Sequence, residues 1–237
     1  MWLFSRKKSL LDQGLLRGWT DWHSHILPGV DDGVRTMDDS LAVLRWYAEQ
    51  GVREVWLTPH VMEDCPNAHA DLRERFAALQ AAWDGPVALH LAAEHMLDAL
   101  FEQRFAVGDV LPLGPSGDRL LVETSCFNAP FRFEETLEEI RTKGFHPVLA
   151  HPERYLYLDD AGYRRIHGNG VEFQLNLPSL AGSYGPEPAR RARMLLESGL
   201  YTYAGSDLHR LSAFQHAVQK PIKPLPSQSQ SPFSPSL

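Results

Sequence analysis

Short apolar segments alternate with amphipathic segments along most of this chain. The short segments predict seven strands, at Trp19–His23, Arg53–Thr58, Val87–Leu91, Leu120–Thr124, Pro147–Ala150, Val171–Leu175 and Tyr201–Ala204. Segments with apolar residues at helical spacing predict helices at Asp38–Gln50, Asp71–Trp83, Glu134–Lys143 and Pro188–Ser198. Gly51, Gly144 and Gly199 directly follow three of these helices, in the position where glycine commonly ends a helix.

This alternation predicts an α/β fold with a mostly parallel sheet and helices outside it. Seven strands favour an incomplete or distorted barrel, and an open sheet is the alternative. The 237 residues, 43% of them hydrophobic, are enough for one domain with a substantial core. We predict a flexible basic arm over residues 1–18, the domain over residues 19–220 and a disordered tail rich in proline and serine over residues 221–237.

Charge and cysteine content narrow the function classes. The net charge of −7 argues against a broad nucleic-acid surface. The two cysteines, Cys65 and Cys126, are too few for a disulfide framework and favour a reducing cytoplasm. No apolar run approaches the roughly 18 residues of a membrane-spanning helix, and the basic start lacks the apolar region of a secretory signal. We therefore expect a cytoplasmic protein without a transmembrane segment or a nucleic-acid partner.

Imidazole and carboxylate side chains follow nearly every predicted strand. In a barrel of parallel strands, the carboxyl ends of the strands and the loops after them form the active face. Nine potential ligands are therefore expected at one mouth: His23, His25, Asp32, His60, Glu94, Glu123, His151, Asp207 and His209. Nitrogen and oxygen donors without thiolates suit manganese, iron or zinc, and so large a set predicts two to three ions. We expect the other histidines to be structural or to lie on the surface. His95 is the strongest candidate for a further role at the site, because it directly follows Glu94.

Six segments carry a family resemblance in their order and spacing: DWHSHILPGVDDG, TPH, AAEH, LVE, LAHPERY and GSDLH. They resemble the polymerase-and-histidinol-phosphatase (PHP) superfamily and, within it, the bacterial tyrosine-protein phosphatases of capsular and exopolysaccharide loci (the CpsB/YwqE type). The resemblance covers roughly residues 19–215. It implies a distorted (β/α)7 TIM-like barrel of the PHP type with a trinuclear, usually Mn2+-dependent centre. It also implies hydrolysis of phosphotyrosine on a bacterial tyrosine kinase that controls capsular or exopolysaccharide synthesis.

The resemblance also implies roles for individual residues. The ligands of one ion would be His23, His25, Glu94 and Asp207. Those of a second would be Glu94, Glu123 and His151, with Glu94 bridging, and those of a third Asp32, His60 and His209. Arg154 matches an arginine that binds the substrate phosphate, and Arg210 is a second candidate for that contact or a surface residue. Asp207 and His209 are candidates to supply a proton to the leaving group, and the candidates to stack on a phosphotyrosine ring are Phe127, Phe131 and Tyr155.

Several alternatives stay open at this point. Cys126 and Arg132 have the spacing of a cysteine-based phosphatase loop, but the residues between them lack glycine and include Pro130, which removes a backbone donor. Within the metal hypothesis, the substrate is alternatively a small phosphomonoester such as histidinol phosphate, or a nucleic-acid phosphodiester. A non-catalytic metal-binding regulator is a further alternative, and a homo-oligomer is compatible with the sequence. Since little sequence separates His209 from the tail, the last helix is expected to be short or missing.

Overall fold

The computed structural model describes residues 7–225. Its strands are β1 Thr20–Ser24, β2 Glu54–Leu57, β3 His60–Val61, β4 Ala88–Leu91, β5 Glu94–Met96, β6 Arg119–Glu123, β7 His146–Ala150, β8 Glu172–Asn176 and β9 Tyr201–Gly205. Its helices are α1 Met37–Gln50, α2 His69–Ala82, α3 Ala99–Ala106, α4 Phe133–Thr142, α5 Asp160–Gly168, α6 Leu177–Leu180, α7 Pro186–Glu197 and α8 Leu211–Gln219, with a 3-10 turn at Pro152–Arg154.

The strands form a distorted barrel. Parallel pairing gives two sheets, in the orders β1-β2-β4 and β3-β5-β6-β7-β8-β9. β3 continues β2 after two residues, and β5 continues β4 in the same way, so each of these pairs occupies one strand position. The ring closes between β1 and β9, where the Asp207 N–H donates to His23 O at 2.8 Å and the His25 N–H donates to Leu208 O at 3.1 Å. The distorted barrel with seven strand positions is therefore confirmed.

The helices predicted from periodicity are confirmed within two residues at each end, as α1, α2, α4 and α7. Thr36 caps α1 by accepting the Asp39 N–H, and Gly51 ends it with a φ of 78°, which costs glycine little. For the last helix, α8, the sequence predicts a short or missing element. It has nine residues and buries Phe214 and Val218, so the helix is short but belongs to the core.

Two apolar layers fix the barrel. One lies between the strands and the helices and includes Leu120, Val122 and Leu149. The other is a separate cluster comprising Trp22, Trp56, Ala92, Leu113, Leu121, Val148, Ala150 and Tyr203. Because successive side chains of a strand point to opposite faces, this second cluster fills the inside of the barrel. Since this cluster fills the middle of the barrel, a polar site has to lie at an end of the strands.

Residues 7–18 differ from the predicted flexible arm. Leu10 and Leu16 are buried in the main core, and Lys8 forms an antiparallel bridge with Ile222, with N···O distances of 3.2 and 3.0 Å. The apolar residues of this segment therefore complete the domain. The rest of the predicted arm, residues 1–6, and most of the predicted tail, residues 226–237, lie outside the described residues. Within residues 7–225, no helix combines the length and the apolar character needed to cross a membrane.

Candidate metal centre

The structure brings all nine predicted ligands to the carboxyl end of the barrel. Their donor atoms form four groups, each with the atoms within 4.8 Å of one another. These groups are His25–Asp32–His60–His209, His23–His25–Asp207, His23–Glu94–His151 and His60–Glu94–Glu123. The convergence that the strand ends predict is thus present in the fold, while the role of each residue as a ligand stays a prediction.

A bulge in β1 places His23. Between the paired positions 21–55 and 24–57, Trp22 and His23 together oppose the single residue Trp56 of β2. Trp22 stacks on Trp56 in the barrel interior with ring centroids 5.8 Å apart. His23 Nδ1 lies 2.9 Å from Gln174 Oε1, and its Nε2 faces the centre. Because of the extra residue, adjacent positions of one strand supply Trp22 to the apolar cluster inside the barrel and the His23 imidazole to the candidate centre.

Gly205 of β9 leaves the space that this bulge needs. A Cβ at Gly205 would lie 2.4 Å from His23 Cβ and 2.7 Å from Gln174 Nε2. The bulge is also held through Asp21, whose buried carboxylate accepts the Tyr47 hydroxyl at 2.6 Å and the Ser206 N–H at 2.7 Å. Burial raises the pKa of Asp21 to about 6, although these hydrogen bonds oppose the shift.

The turn after β1 places His25. Asp31 Oδ2 accepts His25 Nδ1–H at 2.8 Å and the His60 N–H at 3.1 Å, while its Oδ1 accepts the Gly33 N–H at 2.9 Å. This pairing directs the other nitrogen of His25, Nε2, toward the centre, as carboxylates behind metal-binding histidines do. Gly33 is required because a Cβ there would lie 2.1 Å from His25 O.

Glu94 lies in the middle of the centre and is fully buried. Its Oε2 is 3.2 Å from His23 Nε2, 3.3 Å from His25 Nε2 and 3.1 Å from His60 Nδ1. Its Oε1 is 3.1 Å from His151 Nε2. One carboxylate therefore faces four imidazoles, which is the arrangement expected of a bridging ligand.

The other carboxylates surround Glu94. Asp207 Oδ1 lies 3.4 Å from His25 Nε2, and Asp32 Oδ1 lies 3.3 Å from His209 Nε2. Glu123 Oε1 lies 3.1 Å from His60 Nδ1 and Oε2 lies 3.7 Å from His151 Nε2. Glu123 therefore faces two imidazoles. One is His151, with which the resemblance groups it as a ligand of the same ion, and the other is His60.

Backbone conformation supports a functional site at two strand ends. His151 and Asp207, which follow β7 and β9, have φ values of 36° and 50°. Residues other than glycine rarely adopt this left-handed backbone conformation, which costs them about 1–3 kcal/mol. The fold therefore accepts strain where it delivers these two predicted ligands.

The donor set fits divalent metal ions. Four buried atoms of the predicted ligands have no hydrogen-bond partner within residues 7–225: His60 Nδ1, Glu94 Oε2, Glu123 Oε1 and His151 Nδ1. Three of them, all except His151 Nδ1, face one another across the centre. Unpaired buried polar atoms are costly, and coordination to a cation removes that cost. Imidazole nitrogens and carboxylate oxygens without thiolates suit manganese, iron or zinc.

The pKa shifts of the predicted ligands also favour a metal site. Burial lowers the pKa of His60, but the carboxylates of Glu123 and Glu94 outweigh it and raise that pKa to about 10. Burial also opposes ionisation of Glu94, yet His23 and the other imidazoles hold its pKa well below the ordinary value. Carboxylates and protonated imidazoles thus compensate each other, and a divalent cation would take the place of those protons.

A cavity of about 640 Å³ opens above the centre. Arg154, from the turn after β7, lines it and donates from Nη1 to Asp207 Oδ2 at 3.0 Å. Asn176 Nδ2 donates to the same oxygen at 2.7 Å, and the Tyr184 ring lies 4.5 Å from the Arg154 guanidinium. Arg210, the second predicted phosphate contact, is exposed on the rim of the same cavity.

The predicted aromatic contacts need correction. Tyr155 is fully buried and cannot stack on a substrate ring. Phe127 and Phe131 are 71% and 94% exposed, but neither lines the cavity. Tyr184 does line it, and we missed this residue because it lies in a loop without any periodic pattern.

Two further sequence hypotheses lose support. Burial raises the pKa of the Cys126 thiol, and Arg132 binds Glu139 at 2.6 Å, so they do not form a phosphate-binding loop. His95 is buried away from the centre, where its Nε2 accepts the Leu111 N–H at 3.4 Å and burial lowers its pKa to about 3. It belongs to the structural histidines.

Comparison with known proteins gives one consistent family. A model of the family described as "Capsular polysaccharide synthesis, CpsB/CapC" matches residues 19–229. The tyrosine-protein phosphatase YwqE of Bacillus subtilis is 27% identical over 208 residues, covering 85% of this chain and 82% of YwqE. The tyrosine-protein phosphatase CpsB of Streptococcus pneumoniae is 31% identical over 206 residues, covering 81% and 84%.

Solved structures agree. A structure from a study of YwqE from B. subtilis and CpsB from S. pneumoniae, described there as "unique metal-dependent tyrosine phosphatases", is 28% identical. It superposes with a TM-score of 0.76 over 82% of this chain and 81% of that chain. The lactonase Lmo2620 of Listeria monocytogenes, 12% identical, superposes with a TM-score of 0.50 over 91% and 86%, which shows a shared fold alone.

Proposed function

Because this chain belongs to the CpsB/CapC family of capsular polysaccharide synthesis proteins, we propose that it is a metal-dependent protein-tyrosine phosphatase. The observation that carries the proposal is the buried Glu94, which faces four imidazoles directly below a cavity lined by Arg154. This arrangement joins a set of metal ligands to a cationic contact for phosphate.

Three sets of residues would hold the ions. Glu94 would be shared between a set with His23, His25 and Asp207 and a set with Glu123 and His151. The third set would be Asp32, His60 and His209. Divalent ions in these positions would neutralise the phosphoryl oxygens and activate water for attack on phosphorus.

The chain's own residues orient the substrate. The Arg154 guanidinium would bind two phosphoryl oxygens, and its hydrogen bond to Asp207 and its contact with Tyr184 hold it in place. Arg210 would approach the phosphate from the rim. As the phosphorus–oxygen bond to tyrosine breaks, the leaving phenolate has a pKa of about 10, so only a weak proton donor is needed. His209, which lines the cavity, is the candidate to deliver that proton. Asp207, the other candidate from the sequence, is unsuited to this role, because the imidazoles of His23 and His25 outweigh the effect of burial and hold its pKa well below the ordinary value.

Finer features of the proposal are the native ion, the substrate protein and the compartment. We propose Mn2+, since it suits nitrogen and oxygen ligands and the resemblance implies it. We propose a phosphotyrosine-bearing bacterial tyrosine kinase as the substrate, in keeping with the capsule-synthesis family. The two free cysteines accord with a cytoplasmic location.

The deciding experiment measures hydrolysis of a tyrosine phosphopeptide before and after EDTA treatment, and again after manganese is added. Cys126→Ser runs beside the wild type, and histidinol phosphate serves as the competing substrate. We expect activity that is lost with EDTA, restored by manganese and indifferent to the cysteine change. Activity that survives EDTA, or a higher kcat/KM for histidinol phosphate than for the peptide, would refute the proposal.

A further inference from the structure

A second cavity, of about 590 Å³, lies beside the first. It runs between the turn at residues 32–35, the start of α1 and the start of α8, and we call it the flanking groove. Asp32, His209 and Arg210 line both cavities. The groove is therefore a continuation of the candidate active site. The rest of its lining, from residues 33–43 and 211–215, belongs to neither the predicted ligands nor the predicted phosphate contacts.

The groove has an apolar floor. Val34 and Val43 are 5% and 1% exposed, and Leu211 is half-buried beside them. Such a floor favours the aliphatic portions of a bound chain over bulk water.

Two cationic side chains line the same groove. Arg35 and Arg210 are both exposed, and neither guanidinium has an ion-pair or hydrogen-bond partner within residues 7–225. Of the two carboxylates in the groove, Asp39 accepts the Thr36 hydroxyl at 2.6 Å, and Asp32 is a predicted ligand. Asp39 keeps its charge, so once a cation neutralises Asp32 the groove carries two positive charges and one negative charge.

The backbone that carries these arginines is tied to the metal centre. The Val34 N–H donates to His25 O at 2.9 Å, and Thr36 caps α1, so Arg35 lies between two fixed residues. Arg210 directly follows His209 and is the N-cap of α8, a helix with no acidic residue in its first turn. The N-terminus of that helix adds to the positive potential of the groove.

We propose that the flanking groove binds the peptide residues next to the phosphotyrosine and selects acidic side chains through Arg35 and Arg210. This inference rests on the proposed function. When a phosphotyrosine side chain occupies the first cavity, its main chain crosses the rim. Since an extended peptide advances about 3.3 Å per residue, residues a few positions away reach the groove. The net charge of −7 repels acidic peptides overall, so a preference for them would have to arise locally.

The test compares three phosphotyrosine peptides of equal length that differ only in the residues flanking the phosphotyrosine: glutamate, glutamine or lysine. The variants are Arg35→Gln and the charge reversal Arg35→Glu. Arg45→Gln is the matched control, because Arg45 is also exposed, lies on α1 and lines neither cavity. The readout is the ratio of kcat/KM values between peptides for each protein at low and high salt.

We expect the wild type to favour the glutamate peptide, and Arg35→Gln to reduce this preference about two- to fivefold, the range of one exposed ion pair. Arg35→Glu should shift the preference toward the lysine peptide, high salt should weaken it, and Arg45→Gln should leave it unchanged. Equal kcat/KM values for the three peptides, or equal effects of Arg35→Gln and Arg45→Gln, would refute the groove while leaving the phosphatase proposal intact. A wild type that hydrolyses none of the peptides would instead refute the phosphatase proposal.

Discussion

Replacing Gly205 by alanine tests whether β9 fixes the position of His23. The added methyl carbon would lie 2.4 Å from His23 Cβ, 2.7 Å from Gln174 Nε2 and 3.0 Å from His23 N. Separations below 3.0 Å require movement. The Gln174 amide is the end of a flexible side chain, but His23 Cβ is bonded directly to the backbone of the bulge. The bulge is also held by Ser206, whose N–H donates to Asp21, so it cannot shift freely.

Overpacking of this kind costs about 1–3 kcal/mol. For a chain of this size, that corresponds to a fall in the melting temperature of about 2–12 °C. Because His23 also shifts away from Glu94, we expect the affinity for Mn2+ to fall about 10- to 100-fold, the range seen when the support of a metal-binding histidine is lost.

The assay combines thermal unfolding of EDTA-treated protein with calorimetric titration of manganese. Gly168→Ala is the matched control, because no atom of residues 7–225 lies within 4 Å of a Cβ there and its φ is not positive. At the end of α5, alanine should leave stability unchanged or raise it by about 0.5–1 kcal/mol. If Gly205→Ala lowered the melting temperature but bound manganese like the wild type, the claim that β9 positions His23 would be wrong.

Three further predictions follow from the centre. Asp31→Asn should weaken Mn2+ binding about 10- to 100-fold by calorimetry, because the asparagine no longer orients His25 as a carboxylate does. The control Asp84→Asn, in the exposed loop after α2, should have no effect. Arg154→Gln should lower kcat for a tyrosine phosphopeptide about 10²- to 10³-fold while Mn2+ affinity changes little, since Asn176 still donates to Asp207; equal losses of both would contradict a role at the phosphate. Since the raised pKa of His60, about 10, means that metal-free protein holds protons at pH 7, Mn2+ binding should release protons into a weak buffer and tighten as the pH rises; binding without proton release would contradict this electrostatic picture.

The strand positions and the nine candidate ligands could be predicted because both are local signals. All but one of the apolar segments end within a few residues of a histidine or carboxylate, as at His60 and His151, and parallel strands bring such ends together. The short strands β3 and β5 were missed because two or three residues carry no periodicity. The burial of Leu10 and Leu16 is not visible in the local sequence, because it depends on the distant segment around Ile222.

The residues that hold the predicted ligands in place are harder to predict, because their roles depend on which side chain they contact in the folded barrel. The sequence shows Asp31 and Asp32 as equivalent neighbours. In the structure, the Asp31 side chain is 1% exposed against His25 and that of Asp32 is 74% exposed. Gln174 had one available signal, since β8 is the strand position that delivers no histidine or carboxylate to the centre. Its amide instead holds His23 at 2.9 Å.

One short turn, residues 31–35, links the metal centre to the flanking groove. Asp31 orients His25, Asp32 faces His209 across the centre, and Arg35 extends into the groove. Gly33 joins these functions, because its contact with His25 O leaves no room for a side chain and so fixes the path of the turn. A change at Gly33 is therefore expected to displace a predicted ligand and the proposed peptide contact together, whereas a change at Arg35 alters only the surface of the groove. Metal affinity and peptide preference should consequently fall together in Gly33→Ala and separate in Arg35→Gln.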